Sequence, residues 1–205
     1  MGSISTEVDI CNSALLKVGR DLISSLDDDN ERARVVKNRY ALVRDELLTS
    51  HPWNFALPSL QLAVTLNTPI FDYSKEFQLP DDVLRILKTD LSEVPPSSDK
   101  RVTTTFGFDL PAWKIEGDKL LANDGTVRIL YIKRITDTSK FSSTFAEALA
   151  LRLALDIAYR MTNDLNLVES LKQSYQVQLS LARSYDAQES DADNIATNDW
   201  LNSRL

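Results

Sequence analysis

"HPWNFALPSLQLA", residues 51–63, is the stretch where the chain changes from one kind of structure to another. It holds the only histidine, His51, followed by Pro52, Trp53, Phe55 and Pro58. Pro52 disfavours helical backbone at the residue before it, so a helix arriving from upstream must stop near Ser50. Trp53 and Phe55 can each contribute roughly 2–3 kcal/mol if fully covered. Pro58 bends the chain again ahead of Leu60, Leu62 and Val64. We read His51, Pro52, Trp53 and Phe55 as a hydrophobic corner joining helix to sheet, with His51 an incidental polar contact. The alternative is a ligand stacked on Trp53.

Upstream of the corner the pattern is helical. Thr6 with Asp9 three residues on makes a capping box. Val8, Cys11, Leu15 and Val18 then recur at spacings of three and four, and Gly19 suits the position just past a helix end. Cys11, on that stripe, reads as a small buried hydrophobe. A second helix follows the run Asp27–Asp29 and Asn30, which suits a helix N-terminus. Consecutive aspartates lack the alternating spacing and glycine of a calcium loop. Ala33, Val36, Tyr40, Val43 and Leu47 mark its apolar face.

Downstream the period drops towards two. Phe71 and Tyr73, then Phe77 and Leu79, can face one way, and Leu79–Asp82 is a turn before a strand "VLRILK". "SEVPPSSDK" is a surface loop. "WKIEGDKLLANDGTVRILYIKRI" reads as a meander, with Gly117-Asp118 and Asp124-Gly125 as hairpin turns. Its last strand is apolar on both faces, so it should be central. Helical periodicity then returns. Thr144 with Glu147 forms a second capping box, and the helix behind it is apolar nearly all round, broken by a polar stripe at Arg152, Asp156 and Arg160. A last helix carries Val168, Leu171, Tyr175, Leu179 and Ala182 on one face, and the pattern ends after Tyr185.

The fold class is therefore α+β: a helical bundle from the N- and C-terminal segments, residues 1–66 and 138–186, with an inserted antiparallel β domain at 67–137. Residues 187–205 form an acidic C-terminal tail. No apolar run approaches the ~20 residues that span a bilayer. The N-terminus lacks the basic and apolar regions of a secretory leader, and it fits the N-myristoylation pattern only loosely.

Reactive chemistry is sparse. One cysteine and one histidine fill neither a disulfide nor a four-ligand zinc site. The five glycines make no phosphate loop, and no HExxH or GxSxG occurs. Asp45–Glu46 and Asp81–Asp82 are neighbours, but adjacent helical side chains point apart. We expect no catalytic residue, no metal and no cofactor. A carboxylate-based hydrolase, perhaps cell-wall-degrading, is the alternative, because its two acids need not be close in sequence. A generic helical interaction module is another. The 205 residues carry 23 Lys and Arg against 30 Asp and Glu, a net charge of −7, which opposes any grip on a nucleic-acid backbone.

The order of segments carries a resemblance. "ICNSALLKVG" leads to "DLISSLDDDNERARVVKNRYALVRDELLTSHPWNFA", then to "FDYSKEFQLPDDVLRIL", a strand-rich stretch and a long helical pair. Over about residues 8–185 this resembles the tail tubular protein A family, the head-to-tail adaptors of short-tailed phages. "HPWNFA" and "LPDDVLRIL" are its strongest parts, and neither is a catalytic signature. The resemblance implies a virion protein, present in the host cytoplasm during assembly. It implies a ring, usually of twelve copies, between portal protein and tail nozzle, with double-stranded DNA passing through the lumen unbound and no membrane partner. Acidic walls would suit that passage, since like charges repel within ~10 Å at moderate salt. Under this reading Trp200, Leu201 and Leu205 anchor the tail on the portal, and Phe106, Phe108 and Trp113 of the β domain contact the nozzle or neighbouring copies.

Overall fold

The computed structural model describes residues 6–91 and 111–189. They form four α-helices and two three-stranded antiparallel sheets, an α+β fold. Leu48–Pro52 and Ala56–Thr136 make one compact unit, and the rest of the described chain makes the other. No helix among the described residues is long and apolar enough to cross a membrane.

The helical unit is assembled from both ends of the chain. Helix α1 (Glu7–Lys17) opens on the expected box: Thr6 Oγ1 accepts from Asp9 N, and Thr6 N donates to Asp9 at 2.8 Å. The Thr6 N–H bond, joined by one from Thr6 Oγ1–H at 2.8 Å, holds the Asp9 carboxyl below its ordinary range. Gly19, at φ 67°, takes the left-handed turn after the helix, where a side chain would be strained. Helix α2 (Glu31–Thr49) is capped by Asn30, whose Oδ1 accepts from Ala33 N at 2.8 Å. Ala33, Val36, Tyr40, Val43 and Leu47 are all buried, so the three-four rhythm identified the correct face.

Helix α3 (Ser143–Thr162) starts from a different cap than the sequence suggested. Ser142, not Thr144, accepts from Phe145 N at 3.2 Å. Glu147 is free to leave the first turn and pairs with Lys17 at 2.8 Å, so the Thr144–Glu147 box does not form. Asn163 closes the helix in the left-handed region, and Asp164 caps α4 (Leu165–Gln188) through Asn166 N and Leu167 N. α4 runs past Tyr185, where the apolar rhythm fades, because Asp186 is held by its own partners.

In the β unit, β1 (Ser59–Gln61), β6 (Arg128–Lys133) and β3 (Val83–Thr89) form one sheet with β6 in the centre, as its two apolar faces suggested. β2 (Lys75–Gln78), β5 (Lys119–Ala122) and β4 (Trp113–Glu116) form the other. Gly117-Asp118 is the two-residue turn of the β4–β5 hairpin, with Gly117 at φ 62°. Asp124-Gly125 is not a hairpin turn. β5 and β6 are each flanked on both edges, so no edge remains for them to pair, and the loop carries the chain between sheets. Phe77, Leu120 and Ala122 of one sheet share a core with Ile129 and Tyr131 of the other. Two features differ from the sequence reading. β1 pairs with β6 through Ser59↔Leu130, so the β unit takes in residues well before 67, Leu48–Pro52 and Ala56 onward. Asp72 lies at φ 64° and Tyr73 N bonds Phe71 O at 2.7 Å. This local reversal breaks the alternation, so Tyr73 is buried while Phe71 faces solvent.

Candidate interaction surfaces

Trp53 stands at the end of α2, where its Nε1 donates to Leu47 O at 3.0 Å. Its ring meets Phe145 edge-on at 5.0 Å, and Phe55 meets the same ring at 5.0 Å. Phe141 completes the cluster, 4.8 Å from Phe145. Such pairs add about 0.5–1.5 kcal/mol each beyond burial. Between the two aromatics, Asn54 turns to α4: its N–H donates to Asp186 Oδ1 at 2.9 Å, and its Nδ2 donates to Asp186 O at 2.6 Å. The segment 53–55 thus fastens α2, the start of α3 and the end of α4. With Trp53 only 1% exposed, its ring offers no face for a ligand to stack on. Asn54 and Asp186 were missed from sequence, because a polar pair 132 residues apart leaves no local periodicity. His51 is half-buried and Pro52 exposed, both on the β unit's side of the division.

Three of the four acids in the two acidic pairs are held by separate cations. Asp45 meets buried Arg44 at 2.9 Å, and Glu46 meets Arg152 at 2.9 Å. Asp82 meets Lys133 at 3.0 Å. Burial, with the Glu7 charge second, pushes the Cys11 thiol up to about 12. Among the described residues no group of three or more His, Cys, Asp or Glu could hold a metal ion. The polar stripe of α3 faces α2: Arg152 takes Glu46, Asp156 takes Arg39 at 2.5 Å, and Arg160 takes Glu31 at 3.4 Å. Beside it lies an open groove of about 690 Å³, lined by Arg34, Arg39 and Arg160 with Glu31 and Asp156.

Several apolar side chains stand exposed. On α4, Val177, Leu181 and Tyr185 form an i, i+4, i+8 stripe, 71%, 44% and 52% exposed. In the β unit the loop between β1 and β2 carries Leu66, Ile70 and Phe71 fully or largely into solvent. Its base is fixed. Thr65 N donates to Glu76 O at 2.8 Å, and the buried Glu76 carboxylate accepts from Thr65 Oγ1 and pairs with Lys119 at 2.9 Å. These bonds draw the Glu76 carboxyl below its ordinary value, the Lys119 bond most. Only Phe71 had registered in the sequence, and on the wrong side, because the loop has neither period. Trp113 packs partly buried against the β core, with the remainder of its ring on the surface. Phe106, Phe108, Trp200, Leu201 and Leu205 lie outside the described residues. No protein-family model matches the chain, and no curated protein sequence matches it.

Proposed function

We propose that this chain is a structural adaptor of a short-tailed phage particle, assembling as a ring between portal and tail nozzle. The observation that carries the reading is the role of "HPWNFA", the strongest part of the resemblance to tail tubular protein A. Its Trp53, Asn54 and Phe55 fasten helices contributed by opposite ends of the chain. Such a joint acts through architecture and needs no reactive group. The chain's excess of acidic residues supports a passage that DNA crosses without adhering. Electron micrographs of the purified protein, alone and mixed with a portal protein of short-tailed phages, test the reading. Rings on the portal are expected, and micrographs of the chain alone showing monomers are compatible with assembly templated by the portal. No association with the portal, or turnover of cell-wall polymer by the isolated chain, overturns it.

A further inference from the structure

The net charge of the chain is −7, yet one face of the helical unit is basic. Between α2 and α3, the groove of about 690 Å³ is lined by Arg34, Arg39 and Arg160. A hollow of about 340 Å³ beside it shares Glu31 and Arg160 and adds Arg20 and Arg32. Three carboxylates answer these five guanidinium groups: Asp156 on Arg39, Glu31 on Arg160 at 3.4 Å, and Asp21 on Arg32 at 2.8 Å. Arg20 donates to the Met161 carbonyl. Arg34 is exposed and has no ion pair among the described residues. Five cations against three anions leave two positive charges over along one open cleft, and its lining is apolar at Val35 and Ile157.

We infer that the acidic segment after α4, residues 190–199, seats in this groove of its own chain. The segment reads "SDADNIATND", with Asp191, Asp193 and Asp199 and no Lys or Arg, so its charge complements the groove. Its point of departure is fixed. Asp186 holds the end of α4 against Asn54, just past the end of α2. At a rise of about 1.5 Å per residue, Arg39 lies about 15 Å and Arg34 about 22 Å back along α2 from Thr49. At about 3.3 Å per extended residue, Asp193 reaches about 13 Å from Glu189, and Asp199 reaches about 33 Å. The span of the acids therefore covers the span of the arginines. Ile195, between Asp193 and Asp199, suits the apolar lining at Val35 and Ile157. A tether this short gives a millimolar effective concentration, which lets individually weak surface pairs hold. Duplex DNA and a second copy lack that advantage, and each meets the repulsion of the −7 net charge. The inference goes beyond the adaptor reading and holds or fails whether or not the chain forms rings.

The test places two cysteines in the 205-residue chain, Asn38→Cys in the groove and Ala196→Cys in the segment, and follows disulfide formation under mild oxidation. Native Cys11 is buried, with its thiol pushed up to about 12, so it stays silent. The control joins Ala196→Cys to Gln173→Cys, an exposed position on α4 about 22 Å from the end of that helix. At low salt the intrachain disulfide of Asn38→Cys/Ala196→Cys is expected to form several-fold faster than that of the control. About 1 M NaCl, or Asp191→Asn/Asp193→Asn/Asp199→Asn, should bring the two rates together. Arg34→Glu, at a position with no ion pair to lose, should slow the disulfide without lowering the unfolding midpoint. Equal rates at low salt overturn the seat, as does an advantage that survives both salt and the neutralised segment. A disulfide joining two chains, with a rate that rises with protein concentration, assigns the segment to a second copy and overturns the seat. Equal rates together with wild-type binding of a short DNA duplex, lost in Arg34→Glu, assign the groove to nucleic acid and overturn it too.

Discussion

Helix α3 buries ten of its twenty residues inside the helical unit, and its polar stripe is matched residue by residue to α2. In the β unit, two small sheets close over a core of similar chemistry, yet three large apolar side chains stand in solvent on one loop. A sheet edge could have been covered by lengthening β1 into that loop. Instead Asp72 reverses the chain at a positive φ, which turns Phe71 outward and Tyr73 in. The contrast separates residues that hold the chain together from residues that do not, and each prediction below probes one side of that line.

The largest effect belongs to the corner. Trp53→Ala removes a fully covered ring and its bond to Leu47, and should cost about 3–5 kcal/mol in urea unfolding. In a Trp200→Phe background the remaining indole, Trp113, reports on the β unit alone. Helical circular dichroism should then be lost at lower urea than the Trp113 signal. Coincident transitions would mean that the two units unfold together, and the contrast drawn here would be one of surface only.

Asp186→Ala comes next. It removes the charged acceptor of the Asn54 N–H, at a cost of about 1–3 kcal/mol. Asp186→Asn keeps an acceptor and should recover part of the loss. A full loss in both variants would show that the carboxylate charge, and not the bond to Asn54, fastens α4.

The β unit has its own polar staple, and acid should find it. The Glu76 carboxyl titrates below its ordinary 4.5 in the folded chain, held there by Lys119 and then Thr65. The folded state therefore binds fewer protons than the unfolded one in the interval between the two values. Stability from this group is complete above about 4.5 and drains away as pH falls through the folded value. Glu76→Gln should flatten that acid limb when unfolding is followed by Trp113 fluorescence, and leave the neutral-pH behaviour of the helical unit unchanged.

How much of this could be read from residues depended on the range of the interaction. α1, α2 and their caps were legible because Thr6, Asp9 and Asn30 act within three residues of their partners. The centrality of β6 was legible because both of its faces are apolar. The cap at Ser142 was misplaced because two hydroxyls two residues apart offer equal local signals, and Glu147 was decided by distant Lys17. The division of the meander into two sheets depended on which strands had free edges, a property of the assembled unit. For the contact surfaces the sequence was weakest. Leu66 and Ile70 obey no period, and an apolar residue without a pattern is indistinguishable from core until its exposure is seen.

The smallest effect should come from Leu66. Fully exposed, it makes no packing contribution to its own chain, so Leu66→Ser should change unfolding free energy by no more than about 0.5 kcal/mol in either direction. Leu120, wholly buried in the same unit, is the control: Leu120→Ala should cost about 2–5 kcal/mol. The same residue type, in the same unit, would then differ severalfold in its worth to the monomer. If Leu66→Ser cost as much as Leu120→Ala, the loop would be folded onto its own chain in solution and its exposed apolar face would need no partner. If it is silent in unfolding, the stability of the single chain does not depend on a leucine there.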